Sequence, residues 1–447
     1  LESSQATLVV GDLFTLAPCI AKPVLHARYD NRRNVLGTLG FWKSRTFLFG
    51  KPVLRCLAGR EAAALTLLLH RSLEDGRAEG LSWTREARAV LGQLDLDEVE
   101  ALAGLTREEL RWFGDSLLDA EESAVLFGCG FAESERSDLT VGLSALLAEA
   151  TGSRFLAMVG GPNAFGVRAA LLAAGFPTSD GLRSAEMLAA AGTGELKALL
   201  AFGCDPVGAY PGSVFREAST ALKLLATTAP LESPTAAAAD VVLPAGVWGE
   251  KAGTVVNAFG HANQLEAVMP PPGTARTDGD ILAALLARLP AKEPMPATAV
   301  DESADPAAFF GELELYLRLE TRDDHARTTG THWLFPEATP NQTGDGWLTG
   351  PLSWPQHESP GPVVALSPGH AQTLGVKAGD LVRVRSRDAA AELAVRIEQR
   401  LVDDVVLVPP HYPETRRLSS WRLDGVLRDL DVRPERVTVE TVGEETR

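Results

Sequence analysis

Ala239-Asp240-Val241-Val242-Leu243-Pro244, followed by Glu250-Lys251-Ala252-Gly253-Thr254 and then Asn257, is the stretch on which the reading of this chain turns. A short aliphatic run predicts a buried strand, and Pro244 closes it because proline has no amide proton to give to a ladder. Beyond it, a carboxylate, a Gly-Thr pair and an amide crowd the carboxyl end of the strand. In open α/β sheets this is the side on which ligands bind.

Working outward, the flanking segments repeat the same alternation of strand and helix. Thr7-Leu8-Val9-Val10 ends at Gly11-Asp12, the region 21–33 is compatible with a helix, and Val35-Leu36-Gly37-Thr38-Leu39-Gly40 is a second strand. That order predicts a right-handed crossover and a parallel sheet. The region 59–73 has apolar residues at helical spacing, and 94–113 reads as one charged helical region in which Thr106 precedes acids, as an N-cap does. Ala124-Val125-Leu126-Phe127, Leu196 to Phe202 and Leu222 to Thr228 are further strands, the second closed by Gly203-Cys204-Asp205-Pro206. The region 290–362 is rich in Pro, Ala, Glu, Asp and Gly and reads as a linker carrying one amphipathic helix over 309–319. After Pro362 the chain alternates apolar and charged residues in short runs, the mark of half-buried strands.

Composition limits the function classes. A chain of 447 residues with 45% hydrophobic content can build two or three cores. No apolar run approaches the ~18 residues needed to span a bilayer, and no export signal opens the chain. The formal charge of -17 disfavours nucleic acid and anionic lipid as partners. The expected location is cytoplasmic, reaching the cytoplasmic face of a membrane only through partner subunits. Cys19, Cys56, Cys129 and Cys204 are dispersed without a C-x-x-C pair, so they read as buried small side chains and not as cluster ligands. The chain opens on Leu1 in place of Met, and a further N-terminal portion is expected upstream or on a separate chain.

The stretch 239–257 resembles the "ADVVLP…E..GT..N" signature of the molybdopterin oxidoreductase superfamily, which includes formate dehydrogenases and the large iron-sulfur subunit of NADH:quinone oxidoreductase. Other segments follow the superfamily's order: Gly11-Asp12 with Ala17-Pro18, Lys43-Ser44-Arg45-Thr46, Ala58-Gly59-Arg60-Glu61, the loop 160–166, Gly203-Cys204-Asp205-Pro206, and Gly375 to Asp380 in the last unit. The resemblance implies an α/β protein with two Rossmann-like parallel-sheet units, over 1–122 and 123–290, a linker over 291–361, and a C-terminal double-psi β-barrel over 362–447. It places any pterin contacts at Gly11 and Asp12 with Lys43, Arg45 and Thr46, at Gly203, Asp205 and Pro206 with Glu232, and at His411 on the barrel. Yet the loop Gly40-Phe41-Trp42 carries no carboxylate where cofactor-binding members hold a guanine. Cys19 follows the first strand, whereas the superfamily's metal ligand precedes it.

On those grounds the resemblance is nearest the large subunit of NADH:quinone oxidoreductase. It implies a structural body in a peripheral arm, partnered by other subunits of the complex. No catalytic residue, metal ligand or resident cofactor is assigned to this chain, and iron-sulfur clusters are expected only in an upstream part or in partner subunits. The alternative is a catalytic subunit like formate dehydrogenase, with molybdopterin guanine dinucleotide and Mo or W. A third reading is a non-catalytic assembly module.

Overall fold

The computed structural model describes residues 1–442 apart from 129–135, 159–162, 174–181, 183, 210–214, 216–217, 219, 258, 290–305, 324–330, 338–345, 351, 355–360, 388 and 424–429. Cys129 and the first three residues of the loop 160–166 therefore lie outside the described residues.

Five short strands, β1 (Ala6–Val10), β2 (Val35–Gly40), β3 (Val53–Arg55), β4 (Ser123–Phe127) and β5 (Arg154–Ala157), form one parallel sheet in the order β3-β2-β1-β4-β5. Its central strands β1 and β4 are buried along their whole length because helices cover both faces. Val9, Leu36, Ala124 and Leu126 face the helix Pro18–Asp30, while Leu8, Val10, Val125 and Phe127 face the core built around the helix Glu61–Asp75. The sheet does not end at the expected division after residue 122. β4 lies in full register against β1, from Ala6↔Ser123 to Val10↔Phe127, because its side chains complete both apolar faces. The expected single helix over 94–113 is two, Leu96–Ala103 and Arg107–Asp119. Gly104 (φ 67°) ends the first in the left-handed conformation that glycine tolerates, and Thr106 with Glu109 forms a capping box that starts the second.

A second parallel sheet is smaller, with β6 (Ala198–Phe202), β7 (Leu224–Ala229) and β8 (Val241–Pro244) in that order. The strand of the opening stretch is β8, and it is not buried. Val241 is 42% and Val242 43% exposed, since β8 lies at the edge of the sheet with β7 as its one neighbour there. An antiparallel hairpin of β9 (Gly253–Val256) and β10 (Ala262–Leu265) follows.

The C-terminal part is a closed barrel, ordered β11-β15-β12-β14-β13-β18. Its strands are β11 (His332–Pro336), β12 (Val363–Leu366), β13 (Leu381–Arg385), β14 (Ala390–Ile397), β15 (Val405–Val408) and β18 (Glu435–Thr441). A hairpin of β16 (Ser420–Leu423) and β17 (Leu430–Arg433) stands apart from it. β11 pairs parallel with β15, and β12 with β14.

The region 291–361 is more than a linker. It supplies β11 to the barrel, and its helix Pro306–Asp323 inserts Phe310, Leu313 and Leu317 into the core of the first sheet, at the three- and four-residue spacing that forms one helical stripe. Arg60 Nη1 donates to Tyr316 Oη (3.3 Å) and fastens that helix to the start of Glu61–Asp75. The first sheet and the barrel share this core, because Phe335, Ala365, Val405 and Leu407 pack in one cluster with Leu39, Phe41 and Leu54. Among the described residues no helix is long and apolar enough to cross a membrane.

Candidate functional site

In the order β3-β2-β1-β4-β5 the chain switches direction across the sheet between β1 and β4, and the crevice outside β1 is where such sheets take ligands. Gly11 (φ 82°) turns the chain there. Asp12 follows and is buried. Its Oδ1 accepts from Thr46 N (3.2 Å) and Thr46 Oγ1 (2.9 Å), and Phe14 N donates to the same Oγ1 (2.9 Å). The carboxylate is thus a clasp that ties the turn after β1 to the segment after β2.

The turn after β6 repeats the device. Gly203 (φ 60°) leads to Asp205, whose Oδ1 accepts from Thr235 N (2.8 Å) and Thr235 Oγ1, while Val207 N donates to that Oγ1 (3.0 Å). In both turns the amide two residues beyond the aspartate completes the ring of bonds. Charge-assisted bonds of this kind fix the loop through one carboxylate oxygen.

What covers the two turns differs. Over the first lies a cavity of about 180 Å³ between sheet and barrel, lined by Asp12, Phe41, Arg45, Phe335, Glu337 and Arg396 among others. The rings of Phe41 and Phe335 stack across the joint with centroids 4.4 Å apart. The wall carries three arginines (Arg45, Arg396, Arg400) and three carboxylates (Asp12, Glu337, Glu398), so its formal charge is 3 − 3 = 0. Arg396 pairs with Glu337 and reaches Glu398 (3.8 Å), and Arg400 Nε meets Glu398 at 3.1 Å. Over the second turn opens a pocket of about 410 Å³ lined by Met187, Leu188, Leu200, Cys204, Asp205 and Trp347 among others.

The space over the first turn is small for a pterin dinucleotide. The cavity of about 180 Å³ is below the ~300–1,000 Å³ of ordinary cofactor pockets, and Asp12 Oδ1 is engaged by Thr46. Among the described residues no group of three or more His, Cys, Asp and Glu side chains is placed to hold a metal ion.

Of the residues singled out from sequence, Gly11, Asp12, Arg45 and Thr46 are brought together at the first turn, and Gly203, Asp205 and Pro206 at the second. Lys43 is exposed and lines neither space. Glu232 is also exposed. The cap of the following helix is Ser233, whose Oγ accepts from Ala236 N (3.1 Å). His411, expected on a loop facing a cofactor, is buried against the Tyr412 ring (4.3 Å) and lines neither space. Burial, followed by the charge of Arg416, pushes its pKa down to about 4, so its imidazole is neutral at pH 7.

The polar groups after β8 serve the scaffold. Glu250 accepts from Val247 N (2.9 Å), and Asn257 Oδ1 accepts from Phe259 N (2.9 Å) and His261 N (3.0 Å) to form the β9–β10 turn. Asn163, in the left-handed region at φ 61°, bonds both Thr254 O (3.0 Å) and Val256 N (2.8 Å). Sequence reading missed Thr235, Phe335, Glu337 and Arg396. Only Thr235 left a signal, because a Gly-containing turn with aspartate, then a distant threonine, occurs twice.

Two parallel sheets with a closed barrel packed on the ligand edge of the first define an α/β architecture, and comparison with known proteins gives the family. The profile of Molybdopterin oxidoreductase matches residues 98–288, and that of Molydopterin dinucleotide binding domain matches 339–431. The chain belongs to the molybdopterin oxidoreductase family. It is 26% identical over 458 residues to NADPH-Fe(3+) oxidoreductase subunit alpha of Geobacter sulfurreducens, covering 92% of this chain and 54% of that one. Nitrate reductase of Klebsiella oxytoca is 26% identical over 317 residues (63% and 37% of the two chains). A subunit of the NADH-quinone oxidoreductase of Rhizobium meliloti is 26% identical over 300 (63% and 34%). The chain thus spans about half or less of the length of these relatives. Acetylene hydratase from Pelobacter acetylenicus shares the fold, with a TM-score of 0.74 at 14% identity over 98% of this chain and 78% of that one.

Proposed function

We propose that this chain is the molybdopterin-oxidoreductase-type body of the large subunit in a respiratory NADH:quinone oxidoreductase, one that has lost its own active site and holds neighbouring redox subunits in place. The observation that carries this reading is the joint over the first turn. There Phe41 stacks on Phe335, and the arginines of the wall are balanced by carboxylates. The likeness to the NADH-quinone oxidoreductase subunit of Rhizobium meliloti supports the choice of complex. On this reading the barrel is of the double-psi kind, the partners are the other subunits of a peripheral arm, and the location is cytoplasmic, at a membrane face reached through those partners.

A second reading, a catalytic subunit with molybdopterin guanine dinucleotide as in formate dehydrogenases, is favoured by the pocket of about 410 Å³ at the second turn, which falls in the size range of cofactor sites. The two separate by analysis of the purified native complex that contains this chain. Molybdenum, tungsten and fluorescent extracted pterin all below stoichiometry, with NADH:quinone turnover intact, is the expected result. One pterin dinucleotide or more per chain would replace the first reading by the second.

A further inference from the structure

His332, the first residue of β11, and His370, in the helix Pro368–Leu374, lie face to face with ring centroids 3.7 Å apart and planes within 13°. His370 is 5% exposed. Neither of its ring nitrogens has a hydrogen-bond partner among the described residues, nor does Nδ1 of His332. Stacking of this kind suits two neutral rings. Protonation would set two cations face to face in a largely buried site. We propose that the His332–His370 stack is an acid-released fastener, closed at neutral pH and opened by protonation, that holds the barrel's first strand to the helix after its second.

The charged groups acting on the pair are Asp403 and Asp404 in the turn before β15, which favour protonation, and Arg436 on β18, which opposes it at His332; burial outweighs the carboxylates. Asp403 accepts from Ser367 Oγ, the hydroxyl that also caps the helix by accepting from His370 N (3.0 Å). Arg436 lies over the Trp333 ring (3.8 Å). Burial is the larger influence on both rings. It lowers the pKa of His332, and with the neighbouring imidazole it brings His370 down to about 4. The strand that carries His332 also carries Phe335, one half of the stack that joins barrel to first sheet, so release at one end of β11 reaches that joint.

A histidine whose pKa is depressed in the fold contributes stability that is complete above its unfolded value, about 6.5, and that is lost as pH falls toward about 4. Each unit of depression corresponds to about a tenfold change in the population of the opened form. The test is amide hydrogen exchange of the full chain between pH 7.5 and 4.5, corrected for intrinsic rates, with the double variant His332→Phe and His370→Phe as a stack that cannot titrate. Native protein should lose protection in β11 and in the Pro368–Leu374 helix by tenfold or more relative to the variant as pH falls. Equal loss in both proteins overturns the proposal. Should the variant fail to fold, the ring resonances of native protein decide: His370, assigned through His370→Gln, titrates well below 6 if the fastener exists, and titration near 6.5 overturns it.

Discussion

The turns after β1 and β6 are built alike and roofed differently. Asp12 clasps Thr46 as Asp205 clasps Thr235, each aspartate is 5% exposed, and each threonine hydroxyl takes the amide two residues beyond the aspartate. Over the first, the barrel closes with Phe41 against Phe335. Over the second, a pocket of about 410 Å³ stays open. The repeated clasp is therefore a way of holding a loop at the carboxyl edge of a parallel sheet, and what packs above it decides whether a ligand can enter.

The sharpest way to break that comparison is to remove the roof. Phe335→Ala deletes a ring that is 1% exposed and belongs to the core shared by sheet and barrel, so a loss of about 3 to 5 kcal/mol is expected. Leu200→Ala, beside the second turn at 45% exposure, should cost no more than about 0.5 kcal/mol. Urea unfolding of both variants measures the difference, and equal costs would mean that the second pocket is packed as tightly as the first joint. Next in size are the clasps themselves. Asp12→Ala and Asp205→Ala each leave a threonine amide and hydroxyl without their acceptor in a buried turn, at about 1 to 3 kcal/mol apiece. A cost near zero at either position would show that the repeat is one of shape alone.

The parts legible in the sequence were those written in local runs. β1, β2 and β4 were visible because each is a short apolar run with helical spacing on either side, and the barrel strands because Val, Leu and Arg alternate in them. The closure of the first site was not legible. Phe41 and Phe335 lie far apart in the chain and meet only when the barrel docks. The role of the region 306–336 was hidden for a related reason: its Pro- and acid-rich flanks look like linker, while Phe310 and Leu313 reveal their core only against the first sheet. His411 is placed on a barrel loop by resemblance, and its burial beside the Tyr412 ring is a tertiary feature that the local sequence does not carry.

Thiol reactivity probes the same contrast more gently. Cys204 is exposed at the second pocket, whereas Cys56 is buried in the core of the first sheet, where burial, and then the charge of Glu61, pushes its thiol pKa well up. Under native conditions a maleimide should modify Cys204 at a rate set by its exposure. Cys56 should wait on unfolding, at least about 1,000-fold slower. Peptide mapping of the modified chain reads both rates, and comparable labelling would mean that the first core opens locally.

The smallest effect is expected on the strand that suggested the fold. Its run Val241-Val242-Leu243 has the composition of a central parallel strand, and on that reading Val241→Ala should remove a buried side chain. At the edge of its sheet, with Val241 at 42% exposure, the same change removes a methyl pair already in water, and a cost within about 0.5 kcal/mol is expected for the chain alone. A parallel strand exposed on both faces is unusual, because such sheets are ordinarily covered on both faces. The informative measurement is therefore made twice, by urea unfolding on the isolated chain and by yield on the assembled complex. A cost near ~2 kcal/mol in the isolated chain would mean that another part of this chain packs over β8. A negligible cost there, with a loss of assembled complex, would mean that the edge is covered by a partner, and would turn the strand whose composition suggests burial into the place where burial is completed by another subunit.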